Sequence, residues 1–146
     1  MPKVDNEVII NAPVQDIFNY VSQPSNLQQI WPSLIEIKNE KLLPNGGYSY
    51  RWVYKMSGIH FTGVGECIDL KPNLVLASKN TGTIESIVMF KFLSMGIQTK
   101  VSLTIDYQVP MSLFRQLTEI IILKMNAKEA GLILDNLRIR FEEGSF

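Results

Sequence analysis

The sequence has 146 residues, which is enough for one domain to bury a core without disulfide bonds, and its 14 Lys and Arg residues balance its 14 Asp and Glu residues. This balance gives no overall field to attract nucleic acid or an anionic membrane, and the single cysteine, Cys67, excludes an internal disulfide. Because the N-terminus lacks the apolar run of a signal peptide and no apolar run nears the ~20 residues of a membrane span, we expect a single cytoplasmic domain over residues 1–146, without a nucleic-acid partner or a transmembrane segment.

The chain begins with a pattern typical of one strand and two short helices. Residues 8–10 are β-branched and predict a strand. The apolar residues within 14–21 recur at spacings of three and four, which predicts a helix. Pro24 breaks this helix, and Ser25 is predicted to cap a second one that ends at Trp31.

From Leu34 to Val109 the sequence alternates between apolar and polar residues, interrupted by short turns rich in Gly, Pro, Asn and Ser. The alternation predicts six strands, over residues 34–43, 48–56, 59–70, 74–80, 84–92 and 97–109. Because the turns are short, we expect neighbouring strands to be antiparallel.

The last predicted element is one long helix, Ser112–Glu143, with Ser112 as its N-cap. It contains no proline, and its apolar residues form one continuous face at spacings of three and four. Thirty residues would span about 45 Å at ~1.5 Å per residue, long enough to cover a sheet. We expect a cavity between the helix and the sheet, and we expect Gly131 to mark a bend or a close approach to that sheet.

Two strands have side chains that suit the wall of such a cavity. In the 48–56 strand, Trp52 and Tyr54 share one face with other aromatic residues, whereas Arg51 and Lys55 share the opposite face, which must be the solvent side. The indole N–H and tyrosine hydroxyls either orient a ligand or reach backbone and solvent at the rim. In the 97–109 strand, Tyr107 is predicted to point inward near the start of the long helix.

A third strand, 84–92, is apolar on both faces. The row of Ile84, Ser86, Val88, Phe90 and Phe92 is assigned to the inside. Ile87 and Met89 lie on the opposite face, where they predict additional burial such as a homodimer contact.

Several segments together resemble a known superfamily. They are VIINAPVQDIFNYVSQPSNLQQIWPSL with its Trp31-Pro32 pair, GVGECIDLKPNLVLA, Thr99–Tyr107 and the closing LDNLRIRFEE. Over nearly the whole chain they resemble the START and polyketide cyclase-like (SRPBCC, helix-grip) superfamily, and most of all its polyketide cyclase/dehydrase and coenzyme Q-binding group. The resemblance implies an α+β helix-grip fold, in which a curved antiparallel sheet of about seven strands, in the order β-α-α-β6-α, wraps around the C-terminal helix.

The same resemblance implies an internal cavity for apolar or amphipathic small molecules. Functions in the superfamily extend from lipid and quinone binding to polyketide cyclisation. Its members share no catalytic signature, so the resemblance implies no catalytic residue.

The sequence offers little for other chemistry. One histidine and one cysteine leave no metal-ligand pattern, and no cofactor is predicted. His60 lies beside a turn, where a structural histidine is favoured over a catalytic one, and it is roughly 20 Å along its strand from Glu66.

The carboxylates of Glu66 and Asp69 predict a raised pKa and an inert thiol for Cys67. The Gly63-Val64-Gly65 run lacks the helix of a dinucleotide site and predicts a strand kink or bulge.

The leading hypothesis is a binding or carrier protein for a lipid, isoprenoid, quinone or aromatic polyketide. The predicted ligand-binding residues are Trp31, Trp52, Tyr54, Phe90, Tyr107, Leu117, Ile121 and Met125. One alternative is a cyclase, dehydratase or aldolase in which a tyrosine or His60 polarises a carbonyl. The other alternative is an interaction module whose cavity is filled by side chains. Within the long helix, residues 113–125 are predicted to face ligand and residues 130–141 to anchor the fold.

Overall fold

The computed structural model describes the backbone of residues 3–56, 58–108 and 119–142, and side chains within these ranges except those of 107–108 and 119–126. The described elements are β1 Lys3–Ile10, α1 Val14–Val21, α2 Pro24–Ile30, β2 Leu34–Leu42, β3 Tyr48–Met56, β4 Ile59–Lys71, β5 Val75–Gly82, β6 Glu85–Met95, β7 Gln98–Gln108 and α3 Glu119–Glu142. The order β-α-α-β6-α is therefore as predicted. None of the described helices is long and apolar enough to span a bilayer.

The seven strands form one antiparallel sheet in the order β1-β7-β6-β5-β4-β3-β2. The described ends of β2 to β7 agree with the prediction to within three residues. β1 begins at Lys3, well before the predicted start, because it pairs with β7 from Lys3 opposite Asp106 to Ile10 opposite Thr99. An edge strand tolerates polar side chains, and here Asp5 accepts a hydrogen bond from Thr104 of β7 and Glu7 forms an ion pair with Lys100 of β7.

The side chains alternate across the sheet as predicted, which defines an inner and an outer face. Tyr50, Trp52 and Met56 are buried on the inner face, whereas Arg51 and Lys55 are exposed on the outer face. On β7 the side chains at 99, 101, 103 and 105 are all buried. The inner face is therefore the one that carries the core.

The start of α2 differs from the prediction. The helix begins at Pro24 after an extended Gln23, and no side chain caps it, so the assignment of Ser25 as its N-cap is wrong. Proline suits the first helical position because the backbone N–H that it lacks would have no partner there. The predicted first turns of the long helix, 112–118 with Ser112 as the cap, lie outside the described residues.

The two glycines of the Gly63-Val64-Gly65 run do not form a bulge. Gly63 pairs with Trp52 and Gly65 with Tyr50 in an uninterrupted ladder, and the register shift in β4 lies later, between Cys67 and Asp69. A Cβ on Gly65 would lie 2.7 Å from Cζ of Tyr50, and one on Gly63 would collide with the indole of Trp52. The glycines therefore leave room for two rings of β3 to lie across β4.

The C-terminal half of α3 anchors the helix to the rest of the protein. Ala130, Ile133, Leu134 and Leu137 are each at most 1% exposed and belong to the main core. A Cβ on Gly131 would lie 3.3 Å from Nδ2 of Asn6 on β1, so this glycine does mark a close approach to the sheet. The anchoring assigned to residues 130–141 is consistent with this packing.

Candidate functional site

A cavity of about 110 Å³ lies on the inner face of β3 to β7, beside the end of α2. Its described lining is Leu27, Trp31, Leu34, Tyr50, Trp52, Tyr54, Met56, Phe61, Leu76, Ser78, Asn80, Ile84, Ser86, Val88, Phe90 and Ile105. None of these side chains is charged. This volume is smaller than the roughly 150 Å³ of a dry apolar cavity that admits benzene, so the described space takes at most a group of about one ring.

Four of the eight predicted site residues line this cavity: Trp31, Trp52, Tyr54 and Phe90. The structure therefore brings together residues from the end of α2, from β3 and from β6. The side chains of the other four, Tyr107, Leu117, Ile121 and Met125, lie outside the described residues. Trp31 and Trp52 are the only tryptophans of the sequence, so tryptophan emission reports on this cavity alone.

Aromatic contacts hold one wall of the cavity in place. The ring of Tyr54 meets that of Trp31 edge to face, with centroids 6.5 Å apart, and lies 6.2 Å from that of Phe61. Such pairs add about 0.5–1.5 kcal/mol beyond the area that they bury. These contacts therefore stabilise this wall of the cavity.

Behind this wall, a buried carboxylate joins three elements. Glu129 on α3 is 8% exposed and accepts hydrogen bonds from the backbone N–H of Ser33 at 2.9 Å and from the Ser33 hydroxyl. The hydroxyl of Tyr54 on β3 donates to the same carboxylate at 3.2 Å. The three donors satisfy a charge that would otherwise be costly to bury. We call Ser33, Tyr54 and Glu129 the Glu129 cluster.

Burial and the charge of Glu129 both disfavour ionisation of the Tyr54 hydroxyl. Burial raises the pKa of the Tyr54 hydroxyl well above its ordinary value, and the negative charge of Glu129 raises it further. Tyr54 is therefore a hydrogen-bond donor at neutral pH, positioned at the edge of the cavity.

Glu129 was not predicted from the sequence, although its position in the helix carries a signal. Glu129 lies four residues before Ile133 and so falls on the apolar face of the helix. A charged residue at an inward position of an amphipathic helix predicts a buried hydrogen-bond network.

Three polar residues of the lining were also missed as ligand contacts: Ser78, Asn80 and Ser86. Alternation along β5 places Ser78 and Asn80 on the same face as Leu76, which is buried. Burial raises the pKa of the neighbouring Tyr50 hydroxyl to about 12, while the Ser78 hydroxyl opposes that shift. This part of the lining is polar but neutral.

Two residues considered for catalysis lie elsewhere. His60 is exposed on the outer face of β4, opposite Lys55 of β3, and does not line the cavity. The hypothesis that His60 polarises a carbonyl inside the cavity is therefore wrong. Cys67 is buried, and burial raises the pKa of its thiol, with a smaller contribution from the charge of Asp69. The direction was predicted, but its main cause is burial and not charge.

Within the described ranges, no group of three or more His, Cys, Asp and Glu side chains is close enough to hold a metal ion. No protein-family model matches the sequence, and no curated protein matches it either.

Solved structures do match the chain along its length. It is similar to TTHA0849 from Thermus thermophilus, with 23% identity, a TM-score of 0.76 and coverage of 99% of this chain and 100% of that one. It is also similar to a START superfamily protein from Mycobacterium smegmatis, with 14% identity, a TM-score of 0.82 and coverage of 98% and 99%. The Zhui aromatase/cyclase from Streptomyces sp. R1128 matches with 15% identity, a TM-score of 0.71 and coverage of 98% and 97%. The chain therefore has the START and polyketide cyclase-like helix-grip fold, as its sequence predicted.

Proposed function

We propose that this protein binds or carries an apolar or amphipathic small molecule, such as a lipid, isoprenoid, quinone or aromatic polyketide, in the cavity on the inner face of its sheet. The observation that carries the proposal is the cavity itself, since most of its described lining is aromatic or aliphatic and none of it is charged. Sites of this composition bind by removing apolar surface from water, and a few polar groups orient the ligand.

The proposed contacts include all eight residues singled out in the sequence. Trp31, Trp52, Tyr54 and Phe90 lie in the described lining. Tyr107, Leu117, Ile121 and Met125 are proposed to extend the site along the long helix. A ligand larger than one ring needs this extension, because the described cavity is only about 110 Å³.

The affinity expected for a one-ring probe is modest. Burying on the order of 150 Å² of apolar surface at ~25 cal/mol per Å² gives about 4 kcal/mol, which corresponds to a dissociation constant near ~1 mM. Small probes should therefore be titrated over the micromolar to millimolar range.

A pair of variants on β6 tests the proposal. Val88 lines the cavity, whereas Ile87, the preceding residue, is 40% exposed on the outer face. We expect Val88→Phe to fill the cavity and weaken the binding of 4-ethylphenol at least tenfold, as measured by tryptophan emission, because its ring takes the place of the probe. Ile87→Phe adds the same ring outside the cavity and should bind like the wild type.

Thermal melts of both variants would show that each remains folded. Equal affinity of the wild type and Val88→Phe, with both folded, would refute binding in this cavity.

A second candidate function is a cyclase, dehydratase or aldolase that acts in the same cavity. The Tyr54 hydroxyl favours it, because it is protonated at the edge of the cavity and would polarise a carbonyl by exchanging its hydrogen bond to Glu129 for one to the ligand. A carrier releases its ligand unchanged, so mass spectrometry of the ligand recovered after incubation separates the two functions. The third alternative, an interaction module with a filled cavity, is disfavoured by the open space on the inner face.

A further inference from the structure

One row of residues crosses the sheet through the cavity. The strand register places Tyr50 of β3 opposite Gly65 of β4, Gly65 opposite Asn80 of β5, and Asn80 opposite Ser86 of β6. Tyr50, Asn80 and Ser86 all line the cavity. We call these three residues the polar strip, since the remainder of the described lining is mostly apolar.

The gap at Gly65 lets two members of the polar strip approach each other. A Cβ on Gly65 would lie 2.7 Å from Cζ of Tyr50 and 2.9 Å from Oδ1 of Asn80. The hydroxyl end of the tyrosine and the amide oxygen of the asparagine therefore converge over the same glycine. Any larger residue at position 65 would push one of them away.

The hydrogen bond between Asn80 and Ser86 leaves an acceptor on Asn80 and a donor on Ser86 available to a ligand. Nδ2 of Asn80 donates to Oγ of Ser86 at 3.2 Å, which turns Oδ1 of Asn80 away from Ser86. Asn80 is only 8% exposed, yet no described residue donates to its Oδ1. Because Ser86 accepts the bond from Asn80, its own hydroxyl proton remains free to donate.

The free acceptor of Asn80 and the free donor of Ser86 indicate which chemical group of a ligand would bind them. A ketone or ether has no donor for Oδ1 of Asn80, and a buried acceptor without a partner is costly. An ammonium or carboxylate would enter a lining with no charged side chain to compensate it. A hydroxyl group is neutral and both donates and accepts, so it suits Asn80 and Ser86 together.

We infer that the polar strip is a hydroxyl-binding subsite, and that the ligand of this cavity is a neutral phenol or cyclic alcohol whose ring contacts the aromatic wall. The inference rests on the proposed function, because it assigns a ligand class to the same cavity. It goes beyond that function in requiring one specific polar group on the ligand.

Two probes of nearly equal shape test the inference. 4-Ethylphenol and 4-ethyltoluene differ by a hydroxyl in place of a methyl group. A purely apolar cavity prefers 4-ethyltoluene, because taking a hydroxyl out of water without a partner costs free energy. With two hydrogen bonds formed in the polar strip, the wild type should instead bind 4-ethylphenol roughly tenfold more tightly.

Variants then test which residues cause the preference for 4-ethylphenol over 4-ethyltoluene. Asn80→Leu removes the acceptor at similar size, and Ser86→Ala removes the hydroxyl. In each variant the preference for 4-ethylphenol should fall severalfold, and in Asn80→Leu we expect it to reverse. Ser102→Ala removes a hydroxyl from β7 at a position opposite Glu7 and outside the described lining, and it should leave the preference unchanged.

The titrations are monitored by tryptophan emission, and each outcome decides a separate question. If the wild type binds 4-ethyltoluene as tightly as 4-ethylphenol, the subsite is refuted while binding in the cavity stands. If the preference exists but survives in Asn80→Leu and Ser86→Ala, the polar strip is not its source and the inference fails. If neither probe binds, the proposed function and this inference fall together. The wild-type comparison needs no variant to fold, so it remains decisive even where a substitution unfolds the protein.

Discussion

At the scale of single residues, tyrosines carry most of the polar chemistry in and around the cavity. Tyr54 donates to the buried carboxylate of Glu129, and Tyr50 lies with Asn80 over Gly65. Burial holds the pKa of both hydroxyls above the ordinary value, and that of Tyr50 rises to about 12. Both groups are neutral in the physiological range like any tyrosine, and the raised pKa values extend this neutral range into alkali.

This raised pKa predicts a loss of stability in alkali. An unfolded tyrosine ionises near pH ~10, whereas Tyr50 in the folded protein ionises only near pH 12. The stabilisation is therefore complete below pH ~10 and is lost as the pH rises from there towards 12. We expect the free energy of unfolding, measured with urea, to fall between about pH 10 and pH 12.

Tyr50→Phe removes the ionising group and should make this fall shallower than in the wild type. The comparison uses the slope against pH, so a constant loss of stability from the missing hydroxyl does not affect it. Identical slopes in the two proteins would contradict a raised pKa for Tyr50.

At the scale of elements, the limits of a strand were predicted correctly where one periodicity dominates its sequence. They were missed where pairing with another strand determines where the strand begins. β3 was predicted with its observed limits, because alternation is uninterrupted from Tyr48 to Met56 and turns bound it on both sides. The start of β1 was missed, because Asp5, Asn6 and Glu7 look like a polar leader until β7 is there to pair with them.

The residues of the site also divide into those that the spacing along one strand predicts and those that it does not. Aromatic wall residues such as Trp52 were visible from their parity on β3. The polar strip depends on the register between four strands, and the Glu129 cluster depends on which loop meets α3. Neither can be obtained from the spacing of residues along one element.

Gly131 gives a prediction about α3. Glycine within a helix costs up to ~1 kcal/mol relative to alanine. A Cβ at this position would lie 3.3 Å from Nδ2 of Asn6, whose side chain is exposed and can turn away. We expect Gly131→Ala to raise the free energy of unfolding by about 0.5–1 kcal/mol in chemical denaturation.

If the close approach to β1 is rigid, Gly131→Ala would instead destabilise the protein. In that case Asn6→Ala should restore the gain, because it removes the atom that the new methyl group meets. Destabilisation that persists in the double variant would show that the backbones themselves are too close.

At the scale of the whole molecule, the two halves of the inner face have different roles in this account. The face near β1 and β7 is filled by the buried residues of α3, including Ile133, Leu134 and Leu137. The face of β3 to β6, together with Ile105 of β7, retains open space. Some residues serve both roles, because Trp52, Phe61 and Phe90 line the cavity and also belong to the hydrophobic core.

The most direct test of this account is the location of a bound probe by nuclear magnetic resonance. With 4-ethylphenol at a saturating concentration, intermolecular nuclear Overhauser effects should reach the methyl groups of Leu76, Val88 and Ile105, which line the cavity. Leu93 and Ile97 are exposed by 58% and 84% at the far end of β6 and in the following turn, and they report non-specific contact. Effects at the three cavity residues alone would agree with the account, whereas effects confined to Leu93 and Ile97, or none at all, would contradict it.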